Sequence, residues 1–382
     1  MRSIRPLFLS AILLAAAPAQ AYVGLCCGKC GGNMPMNIPG GGIPETFEYR
    51  IKVSPMLMHM EGMRDGTTSV DPASLLGMPA MGYYMAVPIE MDMRMLNVAV
   101  GYSFSDTFFA GVMFMYKDNR MPMRFNAMMA SLTGQPGFTM RSSGPGDTML
   151  MAKYRLFADD PLIPTSQASL FFGLSLPTGS IDERNTTHPV AARRSELLPY
   201  GMQLGSGTVD PTVGILYQGS RSPWWWGANA MYTARLYDNR RDWRLGDEAR
   251  LDLYAMYQFS PHWLAQFQIN GHWQDRISGL MDESASGASG RAVPGDPTSP
   301  FTTPLWDPDH YGGTRVFATL GLQWQPAPLH VIDLQLGLPL YRNLHGPQLE
   351  TDYRVMLTWF WELPTARSVR YRGPRTPSRL GF

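Results

Sequence analysis

The chain has 382 residues, with 32 basic and 31 acidic side chains and a formal net charge of +1. A charge this close to zero, with lysine and arginine spread along the chain, gives no indication of a nucleic-acid partner. After the first residues no stretch of about 18 uninterrupted apolar residues occurs, so the sequence predicts no transmembrane helix.

The first 21 residues have the pattern of a secretory signal peptide. Arg2 and Arg5 precede an apolar run at Leu7–Ala17, and small residues around Ala19 and Ala21 suit a cleavage site. The run is too short to span a bilayer, which favours a signal peptide over an N-terminal anchor helix. We therefore expect residues 1–21 to be removed on export.

Residues 22–44 form a segment rich in Cys, Gly, Pro and Met. Its three cysteines, Cys26, Cys27 and Cys30, lie in LCCGKCGG, and Gly31 stands where a c-type haem motif requires His. No second C-x-x-C completes a zinc site. Three thiols in an oxidising compartment leave two interpretations open: a disulfide with one free thiol, or a soft-metal site shared with nearby methionines.

Alternation of apolar and polar residues dominates residues 45–363. Tyr353–Leu363, for example, has one wholly apolar face and one mixed face. Segments of about ten or more residues with this pattern are long enough to cross a bilayer at a tilt. The twelve predicted strands are 46–60, 90–104, 107–117, 146–157, 167–179, 207–218, 224–237, 248–259, 263–276, 314–325, 330–342 and 351–363.

The connections between these segments alternate in length. Five are short turns, and six are longer polar loops at 61–89, 118–145, 180–206, 238–247, 277–313 and 343–350. A large soluble β-sandwich would not sort its connections in this way. We therefore predict an all-β fold: an antiparallel transmembrane β-barrel of about 12 strands, with short periplasmic turns and long extracellular loops. Residues 364–382 would follow it as a basic periplasmic tail.

Four segments of the predicted barrel carry a family resemblance. They are RSSGPGD (141–147), LSLPTGSIDERN (174–185), LPYGMQLGSGT (198–208) and LGLPLYRNLHGPQLETDYRV (336–355). Over about residues 45–363 the chain resembles the bacterial outer-membrane β-barrel transporter family of the phenol meta-pathway type. The resemblance implies a β-barrel and transport in the bacterial cell outer membrane. It specifies neither a substrate nor site residues.

Strand phase assigns most charged side chains to the barrel interior. A basic side chain facing lipid near the bilayer midplane costs about 2–4 kcal/mol, which favours the inward assignment. More of these side chains are basic than acidic, so an open channel would favour anions. The predicted lumen-lining residues are Arg50, Lys52, Lys117, Lys153, Arg155, Arg235, Arg250, Asp252, His272, Arg315, Asp333, Asp352 and Arg354.

Methionine is concentrated in one part of the chain, since 21 of its 27 copies lie between Met34 and Met151. In four predicted strands methionines recur at every second residue, in phase with the charges, and so should point inward. They could be flexible apolar filler, the lining for an apolar solute, or soft ligands for Cu(I). The candidate metal ligands are Met56, Met58, Met60, Met91, Met93, Met95, Met113, Met115, Met149, Met151, Cys26, Cys27 and Cys30.

The sequence shows no arrangement of His, Ser, Asp or Glu that would support catalysis, so we expect no enzyme. We predict an outer-membrane channel or transporter for small solutes, organic or hydrophobic ones among them. The alternative is a copper-binding or copper-uptake protein that uses the methionines and CCGKC, with copper as the one conceivable cofactor. Expected partners are outer-membrane lipid, a small molecule or metal ion as solute, and the barrel-assembly machinery during biogenesis. The lumen could be open, or plugged by the N-terminal segment.

Overall fold

The computed structural model describes residues 34–39, 41, 46–160, 164–281, 292 and 299–371. The predicted signal peptide and Cys26, Cys27 and Cys30 lie outside these described residues. Within them, no helix combines the length and the hydrophobicity needed to cross a membrane.

β-Strands make up most of the described chain. The first eight are β1 (Glu48–Gly66), β2 (Thr68–Val70), β3 (Ala86–Pro88), β4 (Glu90–Ser103), β5 (Phe108–Phe125), β6 (Gly137–Pro145), β7 (Thr148–Ala158) and β8 (Ser166–Leu176). The next eight are β9 (Asp210–Arg221), β10 (Trp224–Thr233), β11 (Trp243–Arg244), β12 (Glu248–Ser260), β13 (Trp263–Gln274), β14 (Ser278–Gly279), β15 (Gly313–Ala327) and β16 (His330–Pro364). One α-helix, α1 (Ala127–Thr133), lies between β5 and β6. Short 3-10 helices occur at Pro72–Leu75, Pro79–Met81, Ala191–Arg193, Tyr200–Met202, Pro304–Trp306 and Pro308–His310.

The long strands form a closed antiparallel ring. Its order is β1, β4, β5, β7, β8, β9, β10, β12, β13, β15 and β16, and β16 pairs back onto β1. The ring therefore has no free edge, so the backbone groups of each strand can pair with a neighbouring strand on both sides.

The 35-residue strand β16 is a hairpin that crosses the wall twice. Its first part pairs with β15 from His330 to Leu344, and its second part pairs with β1 from Leu344 to Pro364. Gly346, with φ of 68°, lies at the reversal. With two passes from β16 the ring has twelve, an even number, as antiparallel closure requires. The predicted all-β barrel of about 12 strands is confirmed.

The two ends of the ring differ. Short connections at 104–107, 159–165, 222–223, 261–262 and 328–329 define a short-turn end. The longer connections, which contain α1, the 3-10 helices and the short strands, define a long-loop end. In outer-membrane barrels the short-turn end faces the periplasm.

The outward face of the wall is apolar. Ile215 and Leu253 are 51% and 46% exposed, while their neighbours Leu216 and Asp252 are 2% and 0% exposed. This alternation, large apolar side chains outside and polar or packed ones inside, inverts the usual arrangement of a soluble barrel. Hydrocarbon is the environment in which such a surface is stable.

Aromatic side chains gather on the outward face at the short-turn end. The rings of Trp263 and Trp324 stack with centroids 5.6 Å apart, and those of Trp224 and Tyr257 are 4.7 Å apart. Aromatic residues favour the boundary between hydrocarbon and headgroups, so this girdle marks one edge of the membrane-embedded band.

Two of the predicted long loops are wrong. Residues 118–145 contain the end of β5, then α1, then β6, because β5 and β6 continue to pair up to Arg124 and Gly137. Residues 343–350 belong to the β16 hairpin. In both segments outward side chains are polar, as at Asp118, Arg120 and Asn343. The apolar outward face that identifies a membrane strand is therefore lost although the hydrogen bonding continues.

Candidate functional site

A cavity of about 310 Å³ occupies the middle of the barrel lumen. Its volume is at the lower end of the range typical for small-molecule sites. Two chemically different walls and a short internal segment enclose it.

Thioethers form one wall, which we call the methionine face. Alternate residues of four neighbouring strands point into the lumen, and the strand register places Met56 opposite Met95 and Met113 opposite Met149. The spacing of two along each strand thus becomes rows of methionine pairs across strands. The methionine face consists of Met56, Met58, Met95, Met113, Met115, Met149 and Met151.

The other wall is cationic. Arg50, Lys52, Arg250 and Arg354 line the cavity, and none of its described lining residues is Asp or Glu. Arg50 forms an ion pair with Glu362, and Arg250 Nε lies 2.8 Å from Asp252 Oδ2. These two cations are neutralised outside the cavity surface.

The remaining two cations have no carboxylate partner among the described residues. Lys52 Nζ donates to the carbonyl oxygen of Met36 at 2.8 Å. Arg354 Nη2 donates to Asn270 Oδ1 at 2.8 Å and to Thr319 Oγ1 at 3.1 Å. Asp333 acts on Lys52 and Asp252 acts on Arg354 from beyond ion-pair distance, and neither carboxylate lines the cavity. The ammonium and guanidinium groups therefore present to the cavity a positive charge that has no ion-pair partner.

A segment near the N-terminus, described at residues 34–39 and 41, fills the lumen on the short-turn side of the cavity, and we call it the plug. Met34, Met36 and Ile38 are at most 1% exposed and pack in a cluster that includes Phe171 and Tyr254. The sequence is compatible both with an open lumen and with one that this region plugs. Here the described part of it does occupy the lumen.

Polar contacts fix the plug to several strands. Asn37 Nδ2 donates to Gln268 Oε1 at 2.9 Å, and Arg250 Nη2 donates to the Asn37 carbonyl at 3.3 Å. A turn closed by the Gly41 N–H and the Ile38 carbonyl, 2.9 Å apart, shapes its end. The plug therefore spans from β1 to β13 and blocks a straight path through the barrel.

Below the plug a buried ion network closes the short-turn end. Arg370, in the chain that follows β16, donates through Nε to Glu48 Oε1 at 2.8 Å and through Nη2 to Glu362 at 2.8 Å. Ser368 also donates to Glu48. Since Glu362 pairs with Arg50 as well, the tail is tied to the first and last passes of the wall.

Above the cavity the loops close the long-loop end. Met60, Met91 and Met93 do not line the cavity but pack with Met121, Met123, Met140, Leu198 and Met202. A second apolar cluster, centred on the fully buried Trp243, joins the loop residues Ile181, Tyr200, Ile277 and Trp306. The lumen is therefore covered at this end by packed loops.

His188 in this loop assembly is buried between aromatic rings. Its ring is 4.5 Å from that of Phe138, and its Nδ1 accepts from the Val190 N–H at 3.1 Å. Burial, reinforced by the nearby Arg193, lowers the pKa of His188 to about 4. The side chain is therefore neutral at pH 7.

The pKa of His188 predicts acid sensitivity of the loop from 177 to 209. In the unfolded loop the imidazole takes up a proton near pH 6.5, whereas in the folded loop it does so only near pH 4. Stability should be constant above pH 6.5, fall between pH 6.5 and 4, and level off below. Hydrogen exchange of the Asn185 and Leu198 amides, corrected for intrinsic rates, should accelerate in that window.

The control for this prediction is His188→Asn, which retains an acceptor for the Val190 amide but does not titrate. Burial raises the pKa of Glu196 in the same loop, and its protonation would act in the opposite direction. Exchange that accelerates equally in His188→Asn would contradict the assignment to His188.

The other predicted lumen residues lie around the cavity rather than on its surface. Within the lumen, Lys153 Nζ is 3.8 Å from Met34 Sδ, and Asp333 accepts from Gln266 and Gln335 at 2.7 Å each. The others are Lys117 beside Gly146, Arg155 near the short-turn end, Asp252 bonded to Arg250, Arg235 bonded to Asp210 and Glu248, His272 3.4 Å from Glu248, and Arg315 bonded to Gln348. Arg235 lies just beyond β10, at the long-loop rim.

The prediction that Asp352 lines the lumen is wrong. The register between β1 and β16 shifts there, with His59 opposite Tyr353 and Met60 opposite Thr351. Asp352 is the extra residue of this β-bulge, and its side chain is exposed. The bulge reverses the local phase, and the alternation of the sequence gives no sign of it.

The described residues contain no group of three or more His, Cys, Asp or Glu side chains that could hold a metal ion. The ten methionines proposed as ligands are divided between the methionine face and the cluster under the loops. Because the cysteines lie outside the described residues, the copper site stays a prediction from the sequence.

Several residues at the site were not singled out from the sequence. They are Met36, Asn37, Pro39, Ser54, Asn97, Phe109, Thr319, Gln335 and Met356, which all line the cavity. Strand phase would have found Ser54, Thr319 and Met356, which share the inward phase of predicted residues. The plug residues have no periodic pattern that could have placed them.

The chain is similar to known proteins in sequence and in fold. A family model described as "Putative MetA-pathway of phenol degradation" matches residues 97–293, just over half of the chain. No curated protein matches. The chain is similar in structure to an outer membrane channel from Pseudomonas putida F1, with a TM-score of 0.54 and 12% identity, over 84% of this chain and 97% of that one.

Two further similar structures have lower scores. A FadL homologue from Pseudomonas aeruginosa aligns with a TM-score of 0.41 and 10% identity, over 88% of this chain and 97% of that one. The toluene transporter TodX of P. putida aligns with a TM-score of 0.39 and 8% identity, over 85% and 91%. At these identities the similarity to the F1 channel concerns the fold alone.

Proposed function

Since the chain belongs to the family described as "Putative MetA-pathway of phenol degradation", we propose that it is an outer-membrane channel for small hydrophobic solutes. The observation that carries this proposal is the methionine face, which gives a transmembrane barrel an apolar interior surface where an ordinary aqueous pore has polar side chains.

Methionine suits this task for a physical reason. Its side chain is unbranched and polarisable, so a wall of thioethers can adapt to apolar solutes of different shapes and can contact aromatic rings favourably. A cavity of about 310 Å³ accepts a molecule of one or two rings. The similar F1 channel supports the same class of function by fold only.

The solute does not pass along a permanently open pore in this proposal. The packed loops cover the cavity on one side, and the plug and the Glu48 network lie on the other. Passage requires the loops to open for entry and the plug to move for release. A conformational step of this kind would make transport slow but selective.

An uptake experiment tests the proposal. Intact cells whose outer membrane contains the protein should accumulate radiolabelled toluene faster than cells without it. Met113→Asp with Met149→Asp places two carboxylates directly opposite each other on the methionine face. Because an apolar solute would have to displace the water around them, uptake should fall about tenfold or more.

Two matched variants complete the test. Met113→Leu with Met149→Leu conserves volume and hydrophobicity, so uptake should stay close to that of the unaltered protein. Met128→Asp changes a methionine that is 43% exposed on α1, away from the cavity, and should have no effect. Equal uptake with and without the protein in the membrane would refute the proposed function.

A further inference from the structure

The cavity combines an apolar wall with unmatched positive charge. Four cations and no carboxylate lie among its described lining residues, and only Arg50 and Arg250 have carboxylate partners elsewhere. A partly desolvated cation is costly unless an anion compensates it. A neutral solute would leave Lys52 and Arg354 with only the more distant charges of Asp333 and Asp252, whereas an anionic solute would pair with them directly.

Neighbouring side chains orient the Arg354 guanidinium so that it can bind an anion. Its guanidinium lies over the Phe317 ring at 4.5 Å, and its Nη2 is anchored by Asn270 and Thr319. Among the described residues nothing accepts a hydrogen bond from its other guanidinium nitrogens. The group is therefore fixed in place with donors left over, and a carboxylate is the acceptor whose planar geometry matches them.

Lys52 and Arg354 lie at different depths. Lys52 is opposite Phe360 and Arg354 is opposite Met58 in the pairing of β1 with β16, six positions apart along the wall. Six positions correspond to roughly 20 Å of strand. One small carboxylate therefore cannot bind both cations at the same time. Arg354 lies toward the loops, and Lys52 lies next to the plug.

Resting on the function proposed above, we propose that the cavity binds small hydrophobic monocarboxylates. The apolar body lies against the methionine face, and the carboxylate engages Arg354 on the side of the loops and then Lys52 on the side of the plug. Each solute carries one negative charge, and each of the two levels in the lumen has one cation without an ion-pair partner.

The position of Lys52 links the solute to the plug. Its Nζ hydrogen bonds to the Met36 carbonyl, a neutral acceptor. A carboxylate is a stronger acceptor for an ammonium group than a carbonyl is. A solute that reaches Lys52 therefore competes with the plug for the same N–H groups, and its arrival weakens one of the contacts that hold the plug.

Isothermal titration of the purified full-length chain in detergent tests this inference with three probes. They are 4-methylbenzoate, its neutral isostere 4-nitrotoluene, and acetate, which has the charge without the ring. The carboxylate with the ring should bind most tightly. Arg354→Gln should weaken its binding about 10- to 100-fold, the effect of losing a hydrogen bond to a charged group, and should weaken 4-nitrotoluene binding far less.

Further variants check the specificity of this effect. Arg354→Lys should restore part of the affinity for 4-methylbenzoate, and Lys52→Met should lower it. Arg244→Gln, in an exposed loop pair with Asp238, should leave it unchanged.

The other possible outcomes distinguish failure of the carboxylate inference from failure of the proposed channel function. Binding of 4-nitrotoluene as tight as that of 4-methylbenzoate would overturn the carboxylate inference and leave the hydrophobic channel standing. Acetate binding as tight as that of 4-methylbenzoate would overturn it as well, since the methionine face would then contribute nothing. If no probe binds and the cells take up no toluene, the proposed function itself fails.

Discussion

Replacing Met34, Met36 and Ile38 together by serine should release the plug and raise several-fold the single-channel conductance of the state in which the loops are open. Burial of each of these side chains contributes about 1.5–3 kcal/mol, or roughly 5–9 kcal/mol for the three. Ordering the six residues from 34 to 39 costs about 1–2 kcal/mol each. These opposing contributions are of similar size, so the plug stays in the lumen by a small margin.

Loss of the three apolar anchors removes more free energy than that margin. The hydrogen bonds of Asn37, Lys52 and Arg250 remain in the variant, but they contribute only about 1 kcal/mol for the neutral amide and about 1.5–3 kcal/mol for each charged donor. Conductance in planar bilayers is the measurement. The control is Met78→Ser with Met81→Ser, two methionines that are 49% and 74% exposed in a loop. A triple variant with the conductance of the unaltered protein would show that the plug does not limit passage.

Glu362→Gln should lower the free energy of unfolding by about 3–5 kcal/mol, the usual cost of removing one partner from a buried ion pair. Glu362 is 7% exposed and is the carboxylate shared by Arg50 and Arg370. The amide retains the shape of the side chain but not its charge. Arg50 would then remain buried without the carboxylate that neutralises it.

Urea unfolding of the barrel in lipid vesicles measures this loss. The comparison is Asp182→Asn, which removes the carboxylate from a more exposed loop pair with Arg240 and Arg241 and should cost less than about 1 kcal/mol. Equal losses in the two variants would mean that the network at the short-turn end contributes no more than a surface ion pair does.

The wall was predictable because its physics is local. Residues such as Leu334, Leu336 and Leu338 face outward, and each is followed by a residue that faces inward. A periodicity of two residues therefore identifies both the strand and which of its residues face lipid. The reversal near Gly346 was predicted, but the strand pairing that continues through residues 343–350 was missed because the polar residues there resemble a loop. The bulge at Asp352 was missed because an extra residue changes the register without changing the composition.

The site was predictable in part, for the same reason. Strand phase alone identified Lys52, Arg354 and the inward methionines. The position of the plug depends on contacts between residues more than 200 positions apart, such as Asn37 with Gln268. The same is true of the loop clusters over the cavity. No short-range pattern in MPMNIPG encodes such contacts, since only the assembled barrel creates the surface that this segment fits.

The seam between β1 and β16 has a consequence for how the molecule is made. The first strand to be synthesised pairs with the last one, with Glu48 opposite Pro364. Closing a loop of this length costs entropy that no nearby contact offsets in advance. Any chain that stops before its final hairpin therefore keeps two bare edges, and such edges recruit other strands. Cleavage late in the sequence should thus yield aggregates rather than a smaller functional barrel.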